Sequence, residues 1–210
     1  GAYYMAVVQK NSDIKSLADL KTKPYKVWLG TKASIFYSLN VAALAAHGVT
    51  LDDITKAGGV LNTAGYQNLS QAFQDGQVDV AFFSGPAPYG PMMELDRAPG
   101  FRVLSFDKAA GDKMMTLLPG VTMRELKGGI YKSMPDAVTT PYLINELVTS
   151  SAMSDDLIYK ITKMINEHAK EFHGLFAGAD EVDTKGALEG NQIPLHPGAE
   201  RYYREVGLIK

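Results

Sequence analysis

Apolar runs of β-favouring residues alternate along this chain with segments of helical period. Tyr4 to Gln9 reads as a buried strand, and Ser16 and Asp19 stand at N-cap and N3 spacing for a one-turn helix. After Pro24, Lys26 to Leu29 is a second strand, followed by the small and polar residues Gly30, Thr31, Lys32, Ala33 and Ser34. A helix with Ile35, Leu39, Ala42 and Ala46 on one stripe then runs to Gly48, where a left-handed residue would end it. "VTLDDI" reads as a short turn, with Asp52 and Asp53 near a helix start. A short helix is expected from about Asn68 to Gly76, then a buried strand over Val78 to Phe83. Ser84, Gly85, Pro86, Ala87 and Pro88 should turn the chain into another helix, with Pro88 in its first turn.

Phe101 to Phe106 is a further strand. From Asp107 to Asp136 the pattern weakens, broken by Pro119, Gly128, Gly129 and Pro135. "AVTTPYLI" returns to extended structure. Ser154 is placed to cap a helix whose first turn holds Asp155 and Asp156 and whose stripe is Leu157, Ile158, Ile161, Met164, Ile165 and His168. A Gly-rich polar stretch from Gly174 to Gly190 precedes a final short helix carrying Tyr202, Tyr203 and Val206. Strands alternating with helices predict an α/β protein with a mainly parallel sheet flanked by helices.

Composition narrows the function more than the fold. The 210 residues are 46% hydrophobic and 21% charged with a formal charge of −2, so no global charge drives binding to nucleic acid or membrane. No apolar run reaches the length of a membrane span. Cysteine is absent, which excludes disulfides, thiolate catalysis and Cys-ligated metals. His168 and His173 are five apart, about 140° around a helix, and so do not form a one-face metal pair. Asp52/Asp53 and Asp155/Asp156 read as helix-start carboxylates. Ser84 follows a strand but lacks the G-x-S-x-G elbow, and no phosphate-binding glycine motif occurs. Neither an enzyme nor a cofactor site is expected. What remains is the strand-to-helix turn Gly30–Ser34, whose small residues would let an oxyanion approach unpaired backbone N–H groups at the positive end of a helix.

Three segments together resemble one family. "VVQKNSDIKSLADLKTKPYKVWLG" is similar to the strand–linker–strand passage of type II periplasmic binding proteins, and "LSQAFQDGQVDVAFFSGPAP" to their helix and cleft-facing strand. "SDDLIYKITKMINEH" and "ALEGNQIPLHPGAERYYREVG" resemble the C-terminal part of the TAXI family, the solute receptors of TRAP transporters; "PLHPGAERYY" is the most specific signal. The resemblance runs from about Tyr4 to Glu205. Family members carry further sequence upstream, so it implies that most of the N-terminal lobe is lacking here. Where the family has a "GAPGSGTE"-like turn, this chain keeps Gly30 and Ser34 but has Ala33, Ile35 and Phe36 in place of two glycines and a threonine.

The resemblance implies two lobes joined by hinge strands: residues 1–21 as hinge strand and linker, 22–120 as the second lobe, and 121–210 as the return crossover with the C-terminal part of the first lobe. It implies a periplasmic or extracytoplasmic receptor that holds a small carboxylate-bearing solute and passes it to TRAP permease subunits. The ligand contacts it implies are Gly30, Thr31, Lys32, Ser34, Tyr37, Phe83, Ser84, Gly85 and Pro86. Phe36 would add apolar surface, and closure would occur about Val7–Gln9 and Val138–Tyr142. The alternative expectation is the effector-sensing part of a transcription regulator with the same fold.

Overall fold

A computed structural model describes residues 1–175, 178–179 and 182–210. They form two compact units, residues 2–143 and residues 144–210, with Gly1 grouped with the second. The larger unit contains one sheet of seven strands: β1 (Ala2–Gln9), β2 (Lys26–Trp28), β3 (Val60–Asn62), β4 (Val80–Gly85), β5 (Phe101–Val103), β6 (Val121–Leu126) and β7 (Val138–Leu143). Its order is β3-β2-β4-β1-β7-β6, with β5 also on β1. The helices of this unit are α1 (Ile35–Ala46), α2 (Leu51–Lys56), α3 (Leu69–Gln74), α4 (Gly90–Arg97) and α5 (Lys108–Leu117).

The α/β class with flanking helices is as expected. The parallel pairings lie at β2, with β3 and β4 on its two sides, each reached through a helical crossover. Every pairing of β1, and that of β6 with β7, is antiparallel, so the sheet is mixed. Tyr4 to Val8 are buried on both faces, which explains their unbroken apolar run.

Several elements differ from the sequence reading. β4 begins and ends two residues later, so Ser84 and Gly85 are strand residues opposite Tyr4 and Tyr3 rather than part of a turn. Pro91, not Pro88, occupies the first turn of α4. β5 stops at Val103. β3, α5 and β6 had no expected counterparts. β3 is a three-residue edge strand, and α5 buries only Ala110, Gly111 and Met114, too narrow a face to show as a stripe. "VTLDDI" holds α2, with Thr50 and Asp53 forming a capping box. Ile35, first in the expected α1 stripe, is 66% exposed, whereas Leu39, Ala42 and Ala46 are buried. Gly48 does adopt the left-handed conformation (φ +69°) past the end of α1.

In the smaller unit α6 (Asp155–Glu167), the one-turn α7 (Ala169–Phe172) and α8 (Pro197–Glu205) carry the structure. Ser154 occupies the N-cap of α6, but its side chain makes no capping bond. Of the α6 stripe only Ile158 is fully buried, and Val206 lies past the end of α8 and is 45% exposed. The expected Gly-rich polar stretch 174–190 falls partly on residues 176, 177, 180 and 181, which lie outside the described residues. Gly198 sets the approach of α8 to α6, because a Cβ there would lie 2.2 Å from the Asp155 carbonyl oxygen. Arg201 of α8 reaches Asp156 at 3.0 Å and lies 4.1 Å over the Tyr159 ring, while Tyr159 donates to Glu205 at 2.6 Å.

Gly198→Ala should force α8 off α6 and cost about 1–3 kcal/mol, as overpacking against fixed backbone does. Hydrogen exchange should localise that loss to α6 and α8. Asp53 accepts from the Thr50 amide and hydroxyl, which hold its carboxyl below the ordinary 3.8. The stability it contributes is therefore fully present above that value and is lost as pH falls through the lower folded value. The difference in urea midpoint between the parent and Asp53→Ala should be present at about pH 6 and shrink towards about pH 2.

Candidate functional site

Parallel pairing places the carboxyl ends of β2 and β4 at the same end of the sheet. From β2 the chain runs through Leu29 and Gly30 to the exposed Thr31, Lys32 and Ala33, then to Ser34, the N-cap of α1. Gly30 is needed twice over: its φ is +76°, and a Cβ would stand 3.0 Å from the Trp28 ring. The Ser34 hydroxyl donates to the Thr31 carbonyl at 2.7 Å and accepts from the Tyr37 amide at 3.2 Å. Its own amide is bonded to the Thr31 carbonyl. The first-turn N–H groups of Ile35 and Phe36 precede any intrahelical partner, and no acidic side chain occupies that turn.

A buried chain of hydrogen bonds holds this turn from beneath. Tyr4, on β1, donates to Asn40 Oδ1 at 2.7 Å, and Asn40 Nδ2 donates to the Leu29 carbonyl at 3.1 Å. Both side chains are fully buried, and burial pushes the Tyr4 phenol well above its ordinary value, so it stays a donor. Leu29 also donates its amide to Asn62 of β3 at 2.7 Å.

Beside the turn stands an aromatic cluster centred on Tyr66. Phe36 stacks on it with ring centroids 5.5 Å apart, while Trp28 and Phe83 meet it edge-on at 5.7 and 6.1 Å. Its hydroxyl lies 3.1 Å from that of Tyr89. Burial, then this bond, pushes the Tyr66 phenol far above its ordinary value. One proton joins the two hydroxyls, which leaves one O–H to donate elsewhere. Gly85 makes room for Tyr89, since a Cβ there would lie 2.6 Å from the Tyr89 ring. Trp28 is pinned by its indole N–H to the Ala64 carbonyl at 3.0 Å.

Gly30, Thr31, Lys32 and Ser34 thus share one turn, with Tyr37 half-buried in the first turn of α1. Phe83, Ser84, Gly85 and Pro86 lie at the neighbouring end of β4. Phe83 is fully buried and forms a wall of the core, whereas Ser84 and Pro86 are half-buried. The sequence reading missed Tyr4, Trp28, Asn40, Tyr66 and Tyr89. Asn40 alone carried a signal, as a polar residue beside Leu39 on the buried side of an otherwise apolar helix. None of these residues is a carboxylate or an imidazole. The arrangement offers amide and hydroxyl donors, an ammonium and π-faces, and no general base. Among the described residues, no cluster of three His, Asp or Glu is placed to hold a metal ion.

The chain belongs to the NMT1-like family, whose model matches residues 2–207. Among solved structures it is similar to the periplasmic aliphatic sulphonate binding protein SsuA of Escherichia coli, at 28% identity over 49% of this chain and 29% of that one, with a TM-score of 0.39. A periplasmic sulfonate-binding protein of Methylobacillus flagellatus aligns over 97% of this chain and 56% of its own at 14% identity, TM-score 0.45. A binding protein component of an ABC phosphonate transporter of Pseudomonas aeruginosa aligns over 97% and 65% at 14% identity, TM-score 0.37. The chain spans less than two thirds of each of these proteins.

Asn40→Leu should leave the Leu29 carbonyl and the Tyr4 hydroxyl buried without partners, at roughly 2–4 kcal/mol. A double-mutant cycle with Tyr4→Phe, read by urea unfolding, should return a coupling of about 1 kcal/mol or more. Amide exchange of Gly30 to Ser34 should accelerate in the same variant.

Proposed function

We propose that this chain is the solute-binding part of an extracytoplasmic receptor of the TAXI kind, working without chemical turnover and delivering its solute to TRAP-type permease subunits. The observation that carries the reading is the turn Gly30–Ser34. It sets exposed backbone and Lys32 at a helix N-terminus, directly beside the carboxyl end of a parallel neighbour strand. Membership of the NMT1-like family and the "PLHPGAERYY" segment support it. In this reading residues 1–21 supply hinge strand and linker, 22–120 the second lobe, and 121–210 the return crossover with the C-terminal part of the first.

The solute is a small carboxylate. Its oxygens take hydrogen bonds from the turn around Thr31 to Ser34 and charge from Lys32, while its body lies along Phe36, Tyr37 and the Ser84–Pro86 segment. Phe83 acts from behind, by fixing Tyr66. The fused bulk of Ile35 and Phe36, where the resemblance has open glycine and threonine, narrows the turn and selects an elongated or planar solute over a compact one.

A thermal-shift titration with dicarboxylates, 2-oxo acids, amino acids, alkyl sulfonates and alkyl phosphonates tests this directly. A carboxylate at about a hundred times its Kd should stabilise by about 2.7 kcal/mol, a rise of several degrees in Tm. Lys32→Glu should abolish the shift by placing like charge against the ligand. A shift with sulfonates or phosphonates alone would replace the carboxylate reading. No shift with any of them, or one untouched by Lys32→Glu, would overturn the site.

A further inference from the structure

Past the opposite strand ends of the same sheet three cations from three chain segments line one recess of about 310 Å³. Lys10 follows the end of β1, Arg97 closes α4, and Lys132 lies in the connection between β6 and β7. Because β1 runs antiparallel to β4, with Tyr3 opposite Gly85 and Val8 opposite Val80, Lys10 lies past the amino end of β4. That is roughly 20 Å along the strands from the Gly30–Ser34 turn.

One carboxylate, Asp96, also lines the recess, and it is already engaged. Its Oδ2 accepts from the Lys132 amide at 2.9 Å and its Oδ1 from the Ser133 amide at 2.6 Å. Partial burial pushes its pKa up, but these bonds and the Ser133 hydroxyl outweigh that and hold the carboxyl below its ordinary value. Asp96 therefore fixes the Lys132–Ser133 backbone and leaves an excess of positive charge. Arg97 alone would be explained by the negative end of α4. Lys10 and Lys132 would not, since neither belongs to that helix: one follows β1 and the other lies between β6 and β7. Tight backbone packing brings them in: the Lys10 amide donates to the Gly100 carbonyl at 3.3 Å. Gly100 has φ +79°, and a Cβ there would come within 3.3 Å of Ser133 Oγ and 3.5 Å of Lys10 Cδ.

We propose that this recess binds a phosphate monoester group. A concave surface lined by one sign of charge concentrates the opposite ion. A guanidinium and two ammonium groups suit an oxyanion that carries nearly two charges at neutral pH. The volume lies at the lower end of small-molecule sites, enough for the phosphoryl group and a few further atoms. It shares no residue with the Gly30–Ser34 site, so the two proposals stand or fall separately.

The test is isothermal titration of inorganic phosphate into the full chain at constant ionic strength, with chloride as the replaced anion. Saturable one-site binding is expected, weakened roughly fivefold by Arg97→Gln and roughly twenty-five-fold by Arg97→Gln/Lys132→Gln, as exposed cations acting independently would give. Lys160→Gln, which removes an equal charge from α6, should leave it unchanged. Thermal melts of each variant establish that it remains folded. Sedimentation with phosphatidic acid vesicles, against phosphatidylcholine vesicles, separates the sources of the group. Retention that the double variant loses assigns it to a lipid headgroup, and binding of free phosphate without retention assigns it to a soluble ester. Absence of both, equal weakening by Lys160→Gln, or indifference to Arg97→Gln would overturn the proposal.

Discussion

β1 is hydrogen-bonded on both edges, and the larger unit is arranged around that fact. On one edge it pairs with β4 over its length; on the other, β7 takes its first residues and β5 its last. Between those two the Thr140 hydroxyl donates to the Tyr4 carbonyl and the Leu104 amide to the Ala6 carbonyl, so the gap in the ladder leaves little backbone unsatisfied. A central strand whose two faces are also covered must be apolar on both. Tyr4 to Val8 are, and Leu17, Leu20, Leu44, Phe73 and Phe101 belong to the same core. Tyr4 is the exception that explains itself, because its ring is buried while its hydroxyl finds Asn40.

That single hydroxyl links the centre of the sheet to the candidate site. Asn40 passes the constraint to the Leu29 carbonyl, and Gly30 then turns the chain so that Ser34 can cap α1. The turn is thus anchored at its base by buried bonds and closed at its tip by the Ser34 hydroxyl. Preorganised amides lose little freedom when an anion arrives, which is how a few backbone donors without a catalytic side chain can be selective. The aromatic cluster works the same way: Gly85, Ala64 and Tyr131 fix Tyr89 and Trp28, and these in turn fix Tyr66.

The two strand ends of the sheet differ in electrostatic character for one structural reason. α1 begins where β2 and β4 end, so helix N-terminal amides accumulate there, while α4 ends at the opposite end of the strands, beside the end of β1. Carbonyl ends favour cations, and Arg97 follows that rule. Lys10 and Lys132 then reinforce the sign through their own chain segments. One end offers amides, hydroxyls and the single ammonium of Lys32 beside π-faces, and the other offers three full positive charges.

Much of this was legible in the sequence because it depends on short-range patterns. The buried β1 and α1, the left-handed Gly48, the helix-start carboxylates Asp53 and Asp155, and the small-residue turn at Gly30–Ser34 follow from period, capping spacing and glycine stereochemistry. Elements with too little burial to impose a period were not legible. β3, at the sheet edge, and α5, which hides one narrow face, gain their stability from neighbours rather than from their own pattern. Strand direction also escaped, because a run buried on both faces looks alike whether its partner is parallel or antiparallel. The shells behind each site were decided only by the tertiary structure. Tyr4 and Asn40 are 36 residues apart, and the basic recess draws on segments as far apart as Lys10 and Lys132. Sequence fixes what each residue offers to a partner; only the folded sheet decides which partner is near enough to accept it.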